Sequence, residues 1–203
     1  MASNGIVRGG RPCAALLLLL LASLCTAPAA AQALFNERKA QCVVCHGADG
    51  TSPTAQTPSL GGIDNYYALL QLVAFRSGNR NNAIMQAMMD GMSDNDLRAA
   101  AAWIDGLPDP APPADPGDPD RMAAARALSE ANRCNVCHGA DYLGGHQMPP
   151  LRNQREDYLL TALLDFKHER RIGDRAAMVE VVQDLSEAEL AELSYFLAHL
   201  PGN

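Results

Sequence analysis

The sequence predicts an all-α protein built from two tandem helical units, and three observations lead to this prediction. The pentapeptide Cys-Val-Val-Cys-His at residues 42–46 recurs as Cys-Asn-Val-Cys-His at residues 134–138. Matching residues follow each motif, at offsets that change only from 91 to 93 along the chain. Apolar residues recur at helical spacing in both copies, and a proline-rich stretch separates them. We therefore expect an internal duplication of one helical unit of about 80 residues.

Each copy of the motif places two cysteines three positions apart, with a histidine directly after the second. On a helix the two thiols lie on one side of a turn, and the imidazole can reach a metal held beside them. This order is the attachment signature of c-type haem, in which the histidine binds the iron. The sequence thus predicts two covalently attached haem c groups. The predicted attachment and iron-binding residues are Cys42, Cys45 and His46 in the first copy and Cys134, Cys137 and His138 in the second.

A Cys-x-x-Cys pair also occurs in zinc sites and in thiol–disulfide oxidoreductases. A zinc site normally draws its two pairs from neighbouring loops, whereas these pairs lie 92 residues apart. A thioredoxin-like site expects a βαβ unit around the motif, and the pattern indicates none. The repeated histidine and the export signal upstream favour haem.

Residues 1–33 have the organisation of a signal peptide. Arg8 and Arg11 precede an apolar run at 14–24, and small residues near 31–33 provide a cleavage site. The alternative is an uncleaved anchor, but the apolar run is shorter than the ~20 residues that span a bilayer. We therefore expect export to the periplasm, with cleavage near residues 31–33.

Cys13 and Cys25 fall in the predicted signal peptide, so the mature chain keeps only the four motif cysteines and no thiol for a structural disulfide. A lipid anchor at Cys25 is disfavoured because Leu24 is bulky where a small residue is expected. Without Arg8 and Arg11, 14 basic and 23 acidic side chains give a net charge of −9. This charge opposes nucleic-acid binding and permits docking to a basic or mixed patch on another protein.

In the first copy, a short helix over 34–41 is predicted to lead into the motif. A helix over 66–75 follows a proline-containing loop. A methionine-rich stretch at 85–92 comes next, and Ser93 then caps a helix that stops at Gly106.

The second copy repeats this order, with a helix over 121–133 before the motif and a final helix capped by Ser186. We predict domains at 34–108 and 121–203, joined by a semi-rigid linker at 109–120 that is rich in proline and aspartate. Units this small, without disulfides, bury little apolar area. We expect each to be disordered or molten before haem attachment.

The sixth iron position decides the chemistry of each haem. A methionine thioether raises the potential and suits reversible electron transfer, whereas an open position suits catalysis or gas binding. Met178 lies eight residues before the helix cap Ser186, and Met85 lies eight before Ser93. We predict Met85 and Met178 as distal ligands. The neighbours of Met85 that compete for the first role are Met88, Met89 and Met92.

Pro58 and Pro149 follow their motif histidines by twelve and eleven residues. A carbonyl at this position can accept the histidine Nδ1 proton and fix its tautomer, and the alternative is two ordinary loop prolines. Trp103 and Phe196 align and are expected to pack on the first helix of their own copy. The histidines without a repeat counterpart are His146, His168 and His199. We expect them at the surface or partly buried, with His146 as a second choice of iron ligand.

These residues together resemble a class I cytochrome c domain. The matching features are Cys-Val-Val-Cys-His-Gly-Ala-Asp-Gly at 42–50, Pro-Ser-Leu-Gly-Gly at 58–62, Met85, and the capped helix with Trp103. Two such domains in tandem resemble the dihaem cytochrome c4 type over residues 34–201. The resemblance implies an all-helical fold around each covalent haem c, a periplasmic location, His/Met ligation and electron delivery towards terminal oxidases. Where the family often has glutamine after Pro-x-Leu, this chain has Ile63 in the first unit and Gln154 in the second.

The leading functional hypothesis is a mobile dihaem carrier that moves single electrons between respiratory redox partners and is not an enzyme. The expected partners are a protein donor and acceptor, such as a terminal oxidase or a periplasmic dehydrogenase, with no nucleic acid and with membrane contact only through partners. One alternative is a cytochrome subunit of a dehydrogenase that oxidises a sulfur compound or an alcohol. Another is a haem enzyme with an open iron site.

Overall fold

The computed structural model of the protein describes residues 1, 2, 5, 33–171 and 176–201. Within these residues every regular element is an α-helix, and the one β-bridge joins Gly145 to Met148. Both copies of the repeat lie in one compact unit, residues 32–203. The predicted signal peptide lies almost entirely outside the described residues. None of the described helices has the length and apolar character needed to cross a membrane.

The first copy forms helices α1 (Ala33–His46), α2 (Asn65–Arg76), α3 (Ala83–Met89) and α4 (Asp94–Asp105). Helix α1 continues through the whole motif. Met85, Met88 and Met89 of the methionine-rich stretch lie on α3, whereas Met92 lies beyond its end. Ser93 caps α4 as predicted, in a capping box whose reciprocal partner is the Asp96 side chain.

Helix α4 is the centre of the first core, because α1 and α2 both pack on it. The Trp103 ring lies 6.2 Å from the Phe35 ring of α1, which confirms its predicted contact. The Asp96 carboxylate also accepts the Phe35 N–H at 3.0 Å and so joins the start of α1 to the start of α4. The buried residues of this core are Phe35, Ala68, Leu72, Phe75, Met89, Met92, Leu97, Ala100, Ala101 and Ile104.

The described part of the second copy repeats this arrangement and contains five helices. They are α5 (Pro119–Ala131), α6 (Cys134–His138), α7 (Glu156–Lys167), α8 (Ala176–Gln183) and α9 (Glu187–Ala198). Helix α9, capped by Ser186 and Glu189, is the equivalent of α4, and both α5 and α7 pack on it. Phe196 lies fully buried on α9 and packs edge-to-face with Tyr142 at 5.5 Å.

The helix predicted over 121–133 differs from the observed one at both ends. It begins earlier, at Pro119, because the Asp118 side chain caps it and proline is well suited to the first turn. It ends earlier, at Ala131, because Arg133 adopts a left-handed conformation with φ 58°. The second motif therefore starts a new short helix, whereas α1 enters the first motif without a break.

The proline-rich segment is held against the second copy. The Pro110 carbonyl accepts a hydrogen bond from Asn153 Nδ2 at 3.3 Å, and the Asp118 N–H donates to the Tyr195 hydroxyl at 2.6 Å. Both bonds limit the freedom of a chain that proline already stiffens. The proline-rich segment is therefore hydrogen-bonded to the second copy near both of its ends.

Candidate haem sites and the interface between them

In the first motif the thiols are more exposed to solvent than the imidazole. Cys42 and Cys45 are partly exposed, whereas His46 is only 6% exposed. His46 Nδ1 lies 2.8 Å from the Pro58 carbonyl, so Nδ1 carries the proton and Nε2 is left with a lone pair. Burial lowers the pKa of His46, and the bond to Pro58 only partly opposes this. The side chain is therefore a neutral, oriented imidazole, the form that binds iron.

The second motif has the same arrangement on the short helix α6. His138 is 5% exposed, and its Nδ1 lies 3.0 Å from the Pro149 carbonyl. Burial raises the pKa of Cys134, as it does for Cys42 in the first motif. Both thiols are therefore protonated at neutral pH.

Burial divides the methionines around α3 into two groups. Met89 and Met92 are 2% and 3% exposed and belong to the first core. Met85 and Met88 are partly buried and pack against the edge of that core. Met178, on α8, is also partly buried and packs against the cluster around Phe166 and Val182. Two of the four competing methionines are therefore core residues.

The residues of each copy fit a haem c group. Each copy offers two thiols on one helical turn, a buried imidazole with Nδ1 fixed, and a partly buried thioether on a separate helix. In the second copy the apolar core divides in two, with Cys134 packed against one cluster and Met178 against the other. Across the described ranges, no group of three or more His, Cys, Asp and Glu side chains is arranged to hold a metal ion.

Gln154 forms a contact between the copies that sequence reasoning did not identify. Its Oε1 accepts the Ser59 N–H at 2.8 Å, and its Nε2 donates to the Ser59 carbonyl at 2.9 Å. Ser59 is 1% exposed and Gln154 is 7% exposed. The contrast between Ile63 and Gln154 was the available signal, but sequence alone could not show which backbone the amide would reach.

Two arginines also cross between the copies. Arg80 donates to the Tyr158 hydroxyl at 3.1 Å, and Arg171 donates to the Tyr67 hydroxyl at 3.0 Å. The two tyrosines are 91 residues apart, and so are the two arginines. Equivalent residues therefore exchange partners, as they do across an isologous interface between identical subunits.

This arginine–tyrosine cluster carries positive charge. Arg171 is 9% exposed, and in the part of the chain that the structure describes neither arginine is paired with a carboxylate. Gln71 Oε1 accepts from both, at 2.7 Å from Arg80 and 3.3 Å from Arg171. Burial favours a higher pKa for Tyr158, but the two guanidiniums outweigh it and lower the pKa to about 8. The cluster therefore favours a negative charge beside it.

The three histidines outside the motifs contact groups other than the motif residues. His146 is largely exposed, stacks on the Tyr66 ring at 4.6 Å and lies 3.7 Å from the Asp64 carboxylate. His168 approaches a glutamate at 3.2 Å. His199 Nδ1 donates to a backbone carbonyl one turn earlier in its own helix, at 2.8 Å.

A helical domain with a Cys-x-x-Cys-His motif, whose histidine is buried and held at Nδ1 by a backbone carbonyl, is a haem-binding domain, and this chain contains it twice. The family model described as cytochrome c matches residues 28–108 and 122–201. The chain belongs to the cytochrome c family. It has two tandem domains of that family and binds two covalently attached haem c groups.

Several relatives share both domains. The protein is 33% identical over 176 residues to a thiosulfate dehydrogenase electron acceptor of Stutzerimonas stutzeri, covering 81% of each chain. It is 31% identical over 196 residues to cytochrome c4 of Pseudomonas aeruginosa, covering 91% of this chain and 96% of that one.

Solved structures agree with these relatives. Reduced recombinant cytochrome c4 from Pseudomonas stutzeri superposes with a TM-score of 0.71 at 29% identity, covering 84% of this chain and 98% of that one. Thiosulfate dehydrogenase from Marichromatium purpuratum gives a TM-score of 0.71 at 30% identity, covering 84% of this chain and 40% of that one. The protein is accordingly an electron-transfer protein rather than an enzyme.

Proposed function

We propose that this protein is a dihaem electron carrier of the cytochrome c4 type, exported to the periplasm, which passes single electrons between protein redox partners. The observation that carries the proposal is the duplicated motif with its buried histidine, whose Nδ1 is held by a proline carbonyl in both copies. Relatives named cytochrome c4 support it over nearly their whole length.

Each haem, when bound, supplies an iron that is reversibly oxidised and reduced by one electron. The chain attaches and orients it. Cys42, Cys45, Cys134 and Cys137 would provide the covalent attachment, and His46 and His138 would bind the iron. Pro58 and Pro149 fix the imidazole tautomer, and Met85 and Met178 would supply thioether ligands to the iron. Thioether ligation of both irons would favour reversible electron transfer over substrate binding.

Arg80 and Arg171 are suited to the propionate groups of haem. Among the described residues, their hydrogen-bond partners are neutral hydroxyl and amide oxygens, although one of the two cations is buried. A buried cation is costly unless an anion compensates it, and propionates are the carboxylates that a bound haem brings. We infer that the two arginines bind propionate at the interface of the copies.

The second candidate is the cytochrome subunit of a periplasmic dehydrogenase, with the same electron-transfer chemistry. The observation that favours it is the similarity to a thiosulfate dehydrogenase electron acceptor. Purification from native periplasm distinguishes the two functions. Constant co-elution with a dehydrogenase subunit supports the second, whereas elution as a single chain supports the free carrier.

Haem counting tests the proposal most directly. Mass spectrometry of the matured protein should show two covalent haems per chain and a new N-terminus near residues 31–33. Replacing Cys42 and Cys45 together should leave one haem, with the spectrum of the second site retained. Fewer than two haems in the wild type, or an intact Met1, contradicts the proposal. Rapid, stoichiometric carbon monoxide binding by the reduced protein at neutral pH indicates an open iron site instead.

A further inference from the structure

The carbonyl of Pro58 and the N–H of Ser59 belong to the same peptide group, and both are engaged. The carbonyl accepts from His46 Nδ1 at 2.8 Å, and the N–H donates to Gln154 Oε1 at 2.8 Å. Gln154 Nε2 holds the amide in place through the Ser59 carbonyl at 2.9 Å. The near-complete burial of Ser59 and Gln154 keeps water from replacing these bonds. One continuous hydrogen-bonded chain therefore joins a side chain of the second copy to the histidine of the first.

The second copy lacks the residues for the equivalent chain. There the carbonyl that accepts from His138 belongs to the peptide between Pro149 and Pro150, a tertiary amide with no N–H. At the position of Gln154 the first copy has Ile63, which has no polar side-chain atom. The contact is therefore made in one direction only, from the second copy to the first.

Hydrogen bonds in a chain polarise one another. A peptide whose N–H is bonded to a buried acceptor carries more negative charge on its carbonyl oxygen, which then accepts more strongly. A stronger acceptor at Nδ1 makes the imidazole a more basic ligand, and a more basic ligand stabilises oxidised iron. The reduction potential of that iron falls as a result.

We propose that Gln154 is a positioning residue for electron transfer: it lowers the reduction potential of the haem attached to the first copy and leaves that of the second unchanged. The proposal rests on the proposed function, because it requires His46 as an iron ligand. It makes the potential of one haem depend on the docking of the other domain. Because the first haem then has a lower reduction potential, a single electron on the protein resides more often on the haem of the second copy.

The first test replaces Gln154 with the residue at the equivalent position of the first copy, Gln154→Ile, in the full-length dihaem protein. Both potentials are measured by a redox titration followed through the NMR signals of each haem. We expect the first haem to become easier to reduce, with its oxidised-to-reduced ratio at a fixed ambient potential changing at least threefold. For one electron this corresponds to about 28 mV, at 59 mV per tenfold.

A second variant changes the peptide group itself instead of the side chain that binds it. Ser59→Pro removes the N–H that Gln154 accepts and reproduces the Pro-Pro sequence that the second copy already has. We expect a rise of the same sign, and we expect the double variant to rise little more than either single variant, because both changes break one chain. Either single variant alone suffices should the other not fold.

Arg155→Ala is the matched control. Arg155 also crosses to the first copy, where it donates to the Ser52 carbonyl at 3.1 Å, but its side chain does not touch the peptide between Pro58 and Ser59. Loss of this contact and of one positive charge should not raise the potential of the first haem, because a nearby cation favours the reduced state. The His46 Nδ1 proton gives an independent signature: its resonance in the reduced protein should move upfield in Gln154→Ile and stay in place in Arg155→Ala.

The outcomes separate this proposal from the proposed function. Unchanged potentials in Gln154→Ile, additive shifts in the double variant, or an equal shift in Arg155→Ala each overturn the role of Gln154. A wild-type protein without two reversibly titrating haems overturns the proposed function itself.

Discussion

At the scale of single residues, the structure narrows the choice of the first distal ligand. Met89 and Met92 are core residues, and the Met88 carbonyl accepts a hydrogen bond from Arg38 at 2.7 Å. Met85, on α3, lies eight residues before the helix cap Ser93, and Met178, on α8, lies eight residues before the helix cap Ser186. Because duplicated domains place equivalent ligands at equivalent positions, this favours Met85 over Met88.

Met85→Ala should lower the potential of one haem, because a thioether stabilises reduced iron more than the ligand that replaces it. It should also remove one of the two thioether-to-iron absorption bands at the red end of the visible spectrum. Met88→Ala, a change of the same size on the same helix, should leave both bands in place. The reverse pattern would assign the ligand role to Met88.

At the scale of elements, the positions of the helices follow from local sequence pattern. The backbone conformation just before each motif does not. The caps at Ser93 and Ser186 could be predicted because a short side chain and an acidic partner three residues later satisfy free N–H groups. The break at Arg133 could not, because arginine has no preference for the left-handed region and the alanine-rich segment before it favours a helix. Packing against the rest of the fold imposes that break.

This difference between the copies predicts opposite effects of glycine at equivalent positions. Arg133→Gly should raise the free energy of unfolding by about 0.5–1 kcal/mol, because glycine adopts φ 58° without strain. Gln41→Gly, in the uninterrupted helix α1, should lower it by about 0.5–1 kcal/mol. Both side chains are exposed, so neither change removes a core contact. Denaturant titrations of the dihaem protein measure both, and a loss of stability in both variants would contradict the left-handed turn.

At the scale of the molecule, the duplication could be predicted from sequence, but the way its halves meet could not. Offsets of 91 residues reveal that Tyr67 matches Tyr158 and that Arg80 matches Arg171. They do not reveal that each arginine contacts the tyrosine of the other copy, since that depends on which faces the fold brings together. The attachment residues stay a prediction from their spacing, which is set by haem chemistry and not by tertiary packing.

Both tyrosine hydroxyls of this exchange accept a hydrogen bond from the buried Arg171, so removing either hydroxyl should be costly. Tyr67→Phe removes an acceptor of the buried Arg171 and should lower the free energy of unfolding by roughly 1.5–3 kcal/mol. Tyr158→Phe removes an acceptor that Arg80 shares with the buried Arg171, so it should cost at least as much as Tyr67→Phe. Hydrogen exchange of the dihaem protein should accelerate around Ser59 and Gln154 in Tyr67→Phe, while amides of α4 and α9 keep their protection. Costs below about 0.5 kcal/mol in both variants, with no change in hydrogen exchange at the interface, would show that the halves are held together by other contacts.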